Sequence, residues 1–468
     1  MVGLLAALVY AVRIARPSPW RDEVATLDAI RRSPGGILHL TAHIDAVHAA
    51  YYLLAHVVAD ADPGPVRVLD GRLVSLVAMA VVAGGTVVLG RRTDRTATGV
   101  LAGLFVAVSP LASRYAAEAR PFALAAALAV VATLVLLSAL DSPTGSRWAL
   151  YGLAVVSLGA VEVLALLVVL VHAVLVLTRP TGPESPTRPD PPTRSDSPTG
   201  RRTLLRGWGV TGLAAAVVLS PLLVLVISQR SQIAALGTPS LSTLVGFGGR
   251  AVGSTPGVAL LGAAFVLLVV RAARTARTVQ TVQTVGTGWG GPVAWGVGIP
   301  VLLWVVSQAD PLFRERYVLF TLPGIALLVG RVLARIPPAV AAVTLVAVAL
   351  AGLPTQLAVR APGGHGEDIQ ALDRVVAAQR RPGDAVVFVP RSTRRVIQLE
   401  PPVWSGLADR STDPGLPARR VLLIEHSTRS DERRTGTDAA TERTLARAYR
   451  AAGSTSVTGF TVVVYVPR

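Results

Sequence analysis

A chain of 468 residues that is 51% hydrophobic and only 16% charged departs from soluble domains, where charged residues make up about a quarter, and reads as a polytopic membrane protein. With no cysteine it carries no disulfides and no thiolate metal sites. Its net charge of +17 comes without interleaved basic and aromatic motifs, which argues against a nucleic-acid partner and for basic cytoplasmic loops.

The first apolar run, "MVGLLAALVYAVRIA", lacks a basic n-region and a small-x-small cleavage site before Pro17, so it reads as a short first membrane helix and not as a signal peptide. Next comes "PSPWRDEVATLDAI", with Arg21, Asp22 and Glu23 together. Acids here suit a helix N-terminus, where they meet the positive end of the helix dipole. They equally suit a carboxylate pair at the acyl-chain boundary, one member acting as general base. In "HLTAHIDAVHAAYYLLAH", Asp45 and His48 share a helical face that Tyr52 extends; an aromatic belt at the interface explains the tyrosines as well.

Apolar segments of the length a bilayer requires, about 20 residues, recur at 67–90, 97–113, 121–140, 148–177, 207–227, 251–270, 291–307, 317–334 and 338–356. The connections at 91–95, 179–206, 271–277 and 331–335 carry arginines with few acids, which places them on the cytoplasmic side. Alternation of the spans then requires 148–177 to go out and come back, broken near Gly159 and Glu162. About eleven crossings result, with residues beyond about 357 outside. The segment 178–206 is rich in Pro, Ser and Thr and reads as a disordered cytoplasmic loop. A short Thr-Val-Gln repeat at 278–283 is low complexity with no assigned role.

Two further charge clusters fall on the outer side. "SRYAAEARPF" holds Arg114 and Glu118 at helical spacing, readable as a surface ion pair of little energetic worth, followed by Arg120, whose guanidinium suits a phosphate head group. "SQADPLFRERYVLFTLP" holds Arg314, Glu315, Arg316 and Tyr317, either a self-paired loop or a second phosphate-binding face. The C-terminal part changes character. A helix, a Pro-Gly-Asp turn and a strand at 385–389, strands at 419–426 and 460–467, and a helix at 441–452 describe a small α/β domain outside the membrane. The expected domains are therefore 1–356 in the membrane and 357–468 outside it.

The ordered set "WRDEVATL", "DAVHAAYYLLAH", "SPLASRYAAEARPFAL" and "RERYVLFTLPGIALLVG" resembles the protein O-mannosyltransferase and aminoarabinose transferase superfamily, in particular its actinobacterial-type mannosyltransferases. The stretch "EDIQALDRV…RPGDAVVF" resembles the start of the soluble domain that follows the membrane part in such proteins. The resemblance implies a GT-C fold: an α-helical polytopic membrane protein with a C-terminal α/β extracytoplasmic domain. It implies a transferase moving mannose from a polyprenyl-phosphate donor to an acceptor hydroxyl on a glycan, glycolipid or protein at the outer face of the cell membrane. By the same resemblance Asp22 and Glu23 are catalytic, with Asp22 the base. Arg114, Arg120, Arg316 and Tyr317 hold the donor phosphate, and Asp45, His48, Glu118 and Glu162 shape the pocket. Glu162 stands where relatives carry a histidine, and Ala49 where they carry a proline. The scheme needs no metal and no cofactor, since the lipid-linked sugar is a substrate.

Two rival readings exist. A lipid-linked-sugar transporter would place charges near the bilayer midplane and repeat its halves, whereas here the unusual charges sit at span ends and no repeat is visible. An inactive membrane scaffold displaying the C-terminal domain would transfer nothing.

Overall fold

The computed structural model describes residues 1–60, 67–178, 198–230, 237–275, 288–412, 418–426 and 436–468. The Thr-Val-Gln repeat and most of the 178–206 loop lie outside them. The loop's last residues are helical, because the helix Pro198–Ser228 starts earlier than hydropathy alone suggests.

Each apolar stretch expected to cross a membrane folds as helix. Among the described residues, Val68–Thr93, Phe122–Asp141, Arg201–Ser228, Glu315–Leu333 and Pro338–Ala358 are individually long and apolar enough to span. Two bent pairs raise these five to as many as seven: Thr96–Val108 with Pro110–Ala116, and Leu241–Val252 with Thr255–Val270. Val2–Ala11, Val163–Leu177 and Gly290–Val306 are apolar but shorter. About eleven crossings were expected; among the described residues five to seven spans meet the length of a bilayer, and three more apolar helices are shorter. Breaks that hydropathy windows average over shorten several segments. Pro110, with Ser109 capping the next turn, bends one segment by 62°. At Glu162 the backbone is extended and the helix Gly145–Val161 stops, which is where the sequence places the break in 148–177.

Two glycine crossings let helices approach as small residues do in membranes. A Cβ on Gly90 would lie 2.4 Å from Gly99 Cα, and one on Gly324 would lie 2.5 Å from Gly296 N. Outward-facing residues such as Val210, Leu213, Val217 and Val224 are exposed, the surface a hydrocarbon solvent favours. One end of the bundle is tied by arginines from the basic turns. Arg335 forks onto Asp94 at 2.9 and 3.0 Å, Arg331 donates to the Thr93 carbonyl, and Arg92 pairs with Asp141.

The other end carries a five-stranded sheet of β1 (Ala385–Val389), β2 (Ala408–Asp409), β3 (Val421–His426), β4 (Tyr449–Val457) and β5 (Phe460–Pro467), in the order β2-β1-β3-β5-β4. β1 lies parallel to β2 and β3, while β5 runs antiparallel to β3 and β4. The strands expected at 385–389, 419–426 and 460–467 are present. The helix expected at 441–452 is corrected: it runs over Gly436–Ala448, and Tyr449–Val457 is a strand. β4 is an edge strand whose residues are mostly exposed, so it lacks the alternation of apolar residues that reveals a strand in sequence. Gly459, at φ 85°, makes the tight turn into β5. Val386, Phe388, Leu422, Ile424 and Val462 form one buried face with Leu372 and Trp404, and Val24 from the N-terminal segment is part of the same cluster.

Candidate functional site

The four charge clusters singled out in the sequence converge at the sheet-bearing end. The short helix Arg21–Ile30 lies under the sheet and presents Asp22 and Glu23 in its first turn. These two neighbours have opposite environments. Glu23 is fully buried and forked by Arg72, Nε–Oε1 and Nη2–Oε2 both 2.8 Å. It also accepts the Ala119 N–H at 2.8 Å, and His365 Nδ1 lies 3.4 Å away. Burial pushes its carboxyl up, but Arg72, through charge and hydrogen bonds, and His365 outweigh this and hold it well below the usual carboxylate range. Such a group is a poor proton acceptor. Glu23 thus ties the helix to Val68–Thr93 and to the 117–120 turn.

Asp22 is partly exposed, and its Oδ2 meets Arg316 Nη1 at 3.1 Å. The Arg316 guanidinium also lies over the Trp20 and Tyr317 rings, 5.7 and 5.2 Å from their centroids. Tyr317 packs edge-on against Phe122.

Arg120 is the hub of the site and is buried. Its Nη1 donates to the Asp22 carbonyl at 3.2 Å and to Thr26 and Tyr52 hydroxyls at 3.4 Å, and its Nη2 lies 2.6 Å from His48 Nε2. Burial first, then Arg120 and Arg316, push the imidazole well below its usual range. His48 is therefore neutral and accepts from Arg120. Asp45 accepts from Tyr52 at 3.3 Å. Asp45 and His48 do not share one continuous helix as expected: Asp45 is left-handed, φ 58°, and separates Pro34–His43 from the tight turn Ala46–His48. Both nevertheless reach the same hub through Tyr52 and Arg120.

The Arg114–Glu118 pair is no surface ion pair. Arg114 Nε is 3.8 Å from Glu118 Oε2, too long for a hydrogen bond, and Glu118 is 1% exposed with both oxygens lacking hydrogen-bond partners. Burial pushes its carboxyl up against the opposing pull of Arg114 and His365. Glu162 is also buried, accepts the Leu164 N–H at 3.3 Å and feels Arg120 and Arg316. Of the three arginines expected to hold the donor phosphate, Arg114 and Arg316 are 23% and 21% exposed, whereas Arg120 is nearly closed off.

Several partners went unread in the sequence: Arg72, His365, Glu367 and His426. Arg72 had a signal, since a charge inside the apolar segment 67–90 calls for a partner. The other three sit in polar surroundings and have none. Among the described residues, no three His, Asp or Glu side chains are grouped to hold a metal ion.

No family model and no curated protein matches this chain. It is similar in structure to ArnT from Cupriavidus metallidurans bound to undecaprenyl phosphate, with TM-score 0.56, 14% identity, and 99% of this chain and 97% of that chain covered. The apo form of the same protein gives a TM-score of 0.53 at 14% identity, with the same coverage of both chains. The Archaeoglobus fulgidus oligosaccharyltransferase, in complex with zinc and sulfate, gives 0.51 at 11% identity, covering all of this chain and 73% of that one. Both neighbours have the GT-C fold, and so does this chain.

Proposed function

We propose that the protein is an inverting glycosyltransferase that moves a sugar from a polyprenyl-phosphate donor to an acceptor hydroxyl. The observation that carries this reading is the pairing of Asp22 with Arg316, a partly exposed carboxylate and a partly exposed guanidinium held together on a rigid frame. ArnT, of the same fold, is known bound to undecaprenyl phosphate, which supports a lipid-phosphate donor here.

Asp22 Oδ2 accepts the proton of the acceptor hydroxyl as its oxygen attacks the anomeric carbon. The bond from that carbon to the lipid phosphate breaks on the opposite face, which inverts the centre, as in single-displacement glycoside chemistry. Arg316, with Arg114, meets the charge that builds on the leaving phosphate, a term that is often the largest in such catalysis. Arg316 is shared. In the free enzyme it pairs with Asp22, and a donor phosphate competes for the same guanidinium, so donor binding releases the base. Arg120, with His48, Tyr52 and Asp45, holds the Asp22 backbone, and Glu23 fixes the helix. Tyr317 braces Arg316. Glu118 and Glu162 line the pocket, and no step draws on a metal or cofactor.

The basic turns gathered at the opposite end support an extracytoplasmic site, by the positive-inside rule. The helical part to about residue 356 then anchors the enzyme, and 357–468 stands outside. Mannose as the sugar, and a glycan, glycolipid or protein as acceptor, rest on the resemblance of the four sequence stretches.

The test is to incubate membranes with radiolabelled polyprenyl-phosphate mannose and isolate the product. A new labelled glycoside is expected, and Asp22→Asn is expected to reduce its formation about 10²- to 10⁴-fold with donor still bound. Label that crosses the membrane without forming a glycoside would establish transport instead.

A further inference from the structure

The helix that carries Asp22 begins without a cap of its own. Its N-cap residue is Trp20, whose side chain makes no capping hydrogen bond, and an indole N–H has no lone pair to offer. A first turn left open frays, since its N–H groups have no partner within the helix. Asp22 lies in that turn.

The missing acceptor comes from far along the chain. Glu367 Oε2 accepts the Arg21 N–H at 3.0 Å, and its Oε1 accepts Arg21 Nε at 3.0 Å. The carboxylate is itself braced by His426 Nε2, at the end of β3, 3.1 Å away. It is 4% exposed, and a carboxylate at this position also meets the positive end of the helix dipole. The attachment goes beyond one cap. Ser18 N–H donates to the Pro362 carbonyl at 2.8 Å, Ser18 Oγ accepts the Gln370 N–H at 3.1 Å, and Val24 is packed in the core of the sheet. The residues on either side of Asp22 are therefore fixed from two directions: Arg21 by the sheet domain, Glu23 by Arg72 of the membrane part.

We propose that Glu367 is a positioning residue for sugar transfer: by capping the Asp22 helix, it makes the C-terminal sheet domain hold the general base in line with Arg316. This rests on the reading of Asp22 as base. It gives the domain a part in the chemistry of the membrane site in addition to any contact with an acceptor.

The test uses the full chain in lipid nanodiscs and compares Glu367→Ala, Glu367→Gln and, as control on the same domain, Arg394→Ala, which removes the pair between an exposed arginine and the half-buried Asp409. Amide hydrogen exchange is followed over residues 18–30, together with kcat and the donor KM. In Glu367→Ala, exchange is expected to accelerate about five- to tenfold in the first helical turn only. A displaced base is expected to lower kcat about tenfold or more, with donor KM unchanged. Glu367→Gln, whose carbonyl still accepts the Arg21 N–H, falls between, and Arg394→Ala matches wild type. If Glu367→Ala exchanges fast throughout the sheet, the isosteric Gln variant decides. Unchanged exchange in the first turn, or a frayed turn with unchanged kcat, overturns the proposal. Asp22→Asn separates the two failures: full activity there rejects Asp22 as the base, whereas lost activity there beside a frayed first turn with unmoved kcat in Glu367→Ala rejects only the positioning role.

Discussion

Asp22 and Arg316 are 294 positions apart in the chain and 3.1 Å apart in space, and the chemistry proposed for the site depends on that pair. Arg316→Ala removes a charge-assisted contact to the donor phosphate, so donor KM is expected to rise about 10- to 100-fold, measured with the labelled lipid donor. The choice of Asp22 over Glu23 was open to sequence reasoning only as a preference. Two adjacent carboxylates look alike in a string of letters, and what separates them is that the helix turns one toward Arg72 and the other toward Arg316.

At the scale of elements, the site is built from interruptions. The bend at Pro110 delivers Arg114 and Glu118, the left-handed Asp45 delivers His48, and the stop at Glu162 ends Gly145–Val161 with a buried carboxyl. Pro110 lies inside the apolar segment 97–113, where a hydropathy window averages over it, and the polar Glu162 is visible in the sequence as a break. The turn at Asp45 is not, because Asp-x-x-His reads as ordinary helical spacing. Glu23 locks the Asp22 helix to Val68–Thr93 through Arg72, which also donates to the Ile14 and Pro17 carbonyls. Glu23→Gln leaves Arg72 buried without its counter-charge, and breaking such a pair costs about 3–5 kcal/mol. A clear fall in Tm is expected, together with a lower kcat in the protein that remains folded, since Glu23 fixes the helix that carries Asp22. A Tm equal to wild type would remove Glu23 from the frame.

At the scale of the whole molecule, the helical bundle has two chemically different ends, one tied by basic turns and one capped by the sheet. Glu367 joins the sheet to the bundle. Burial pushes its carboxyl up, but the His426 hydrogen bond, the Arg21 charge and the Arg21 N–H hold it at about 2, against 4.5 when unperturbed. A depressed carboxylate stabilises the folded form above its unfolded value and loses that contribution as pH falls through its folded one. Docking of the sheet is thus expected to be insensitive to pH from neutrality down to about 4.5 and to weaken progressively from there toward about 2, a loss that Glu367→Gln should flatten, read by amide exchange over residues 18–30. By itself the sequence determined the membrane character, the helical segments, three of the five strands and the four charge clusters that meet at one end of the bundle, because these follow from local hydropathy and from charge where charge is costly. Tertiary structure alone decided the number of long helices, the edge strand β4, the different environments of Asp22 and Glu23, and the cap that Glu367 supplies from 346 positions away. Each of these depends on which distant groups meet, and burial and pairing are properties of contacts that no local window of residues contains.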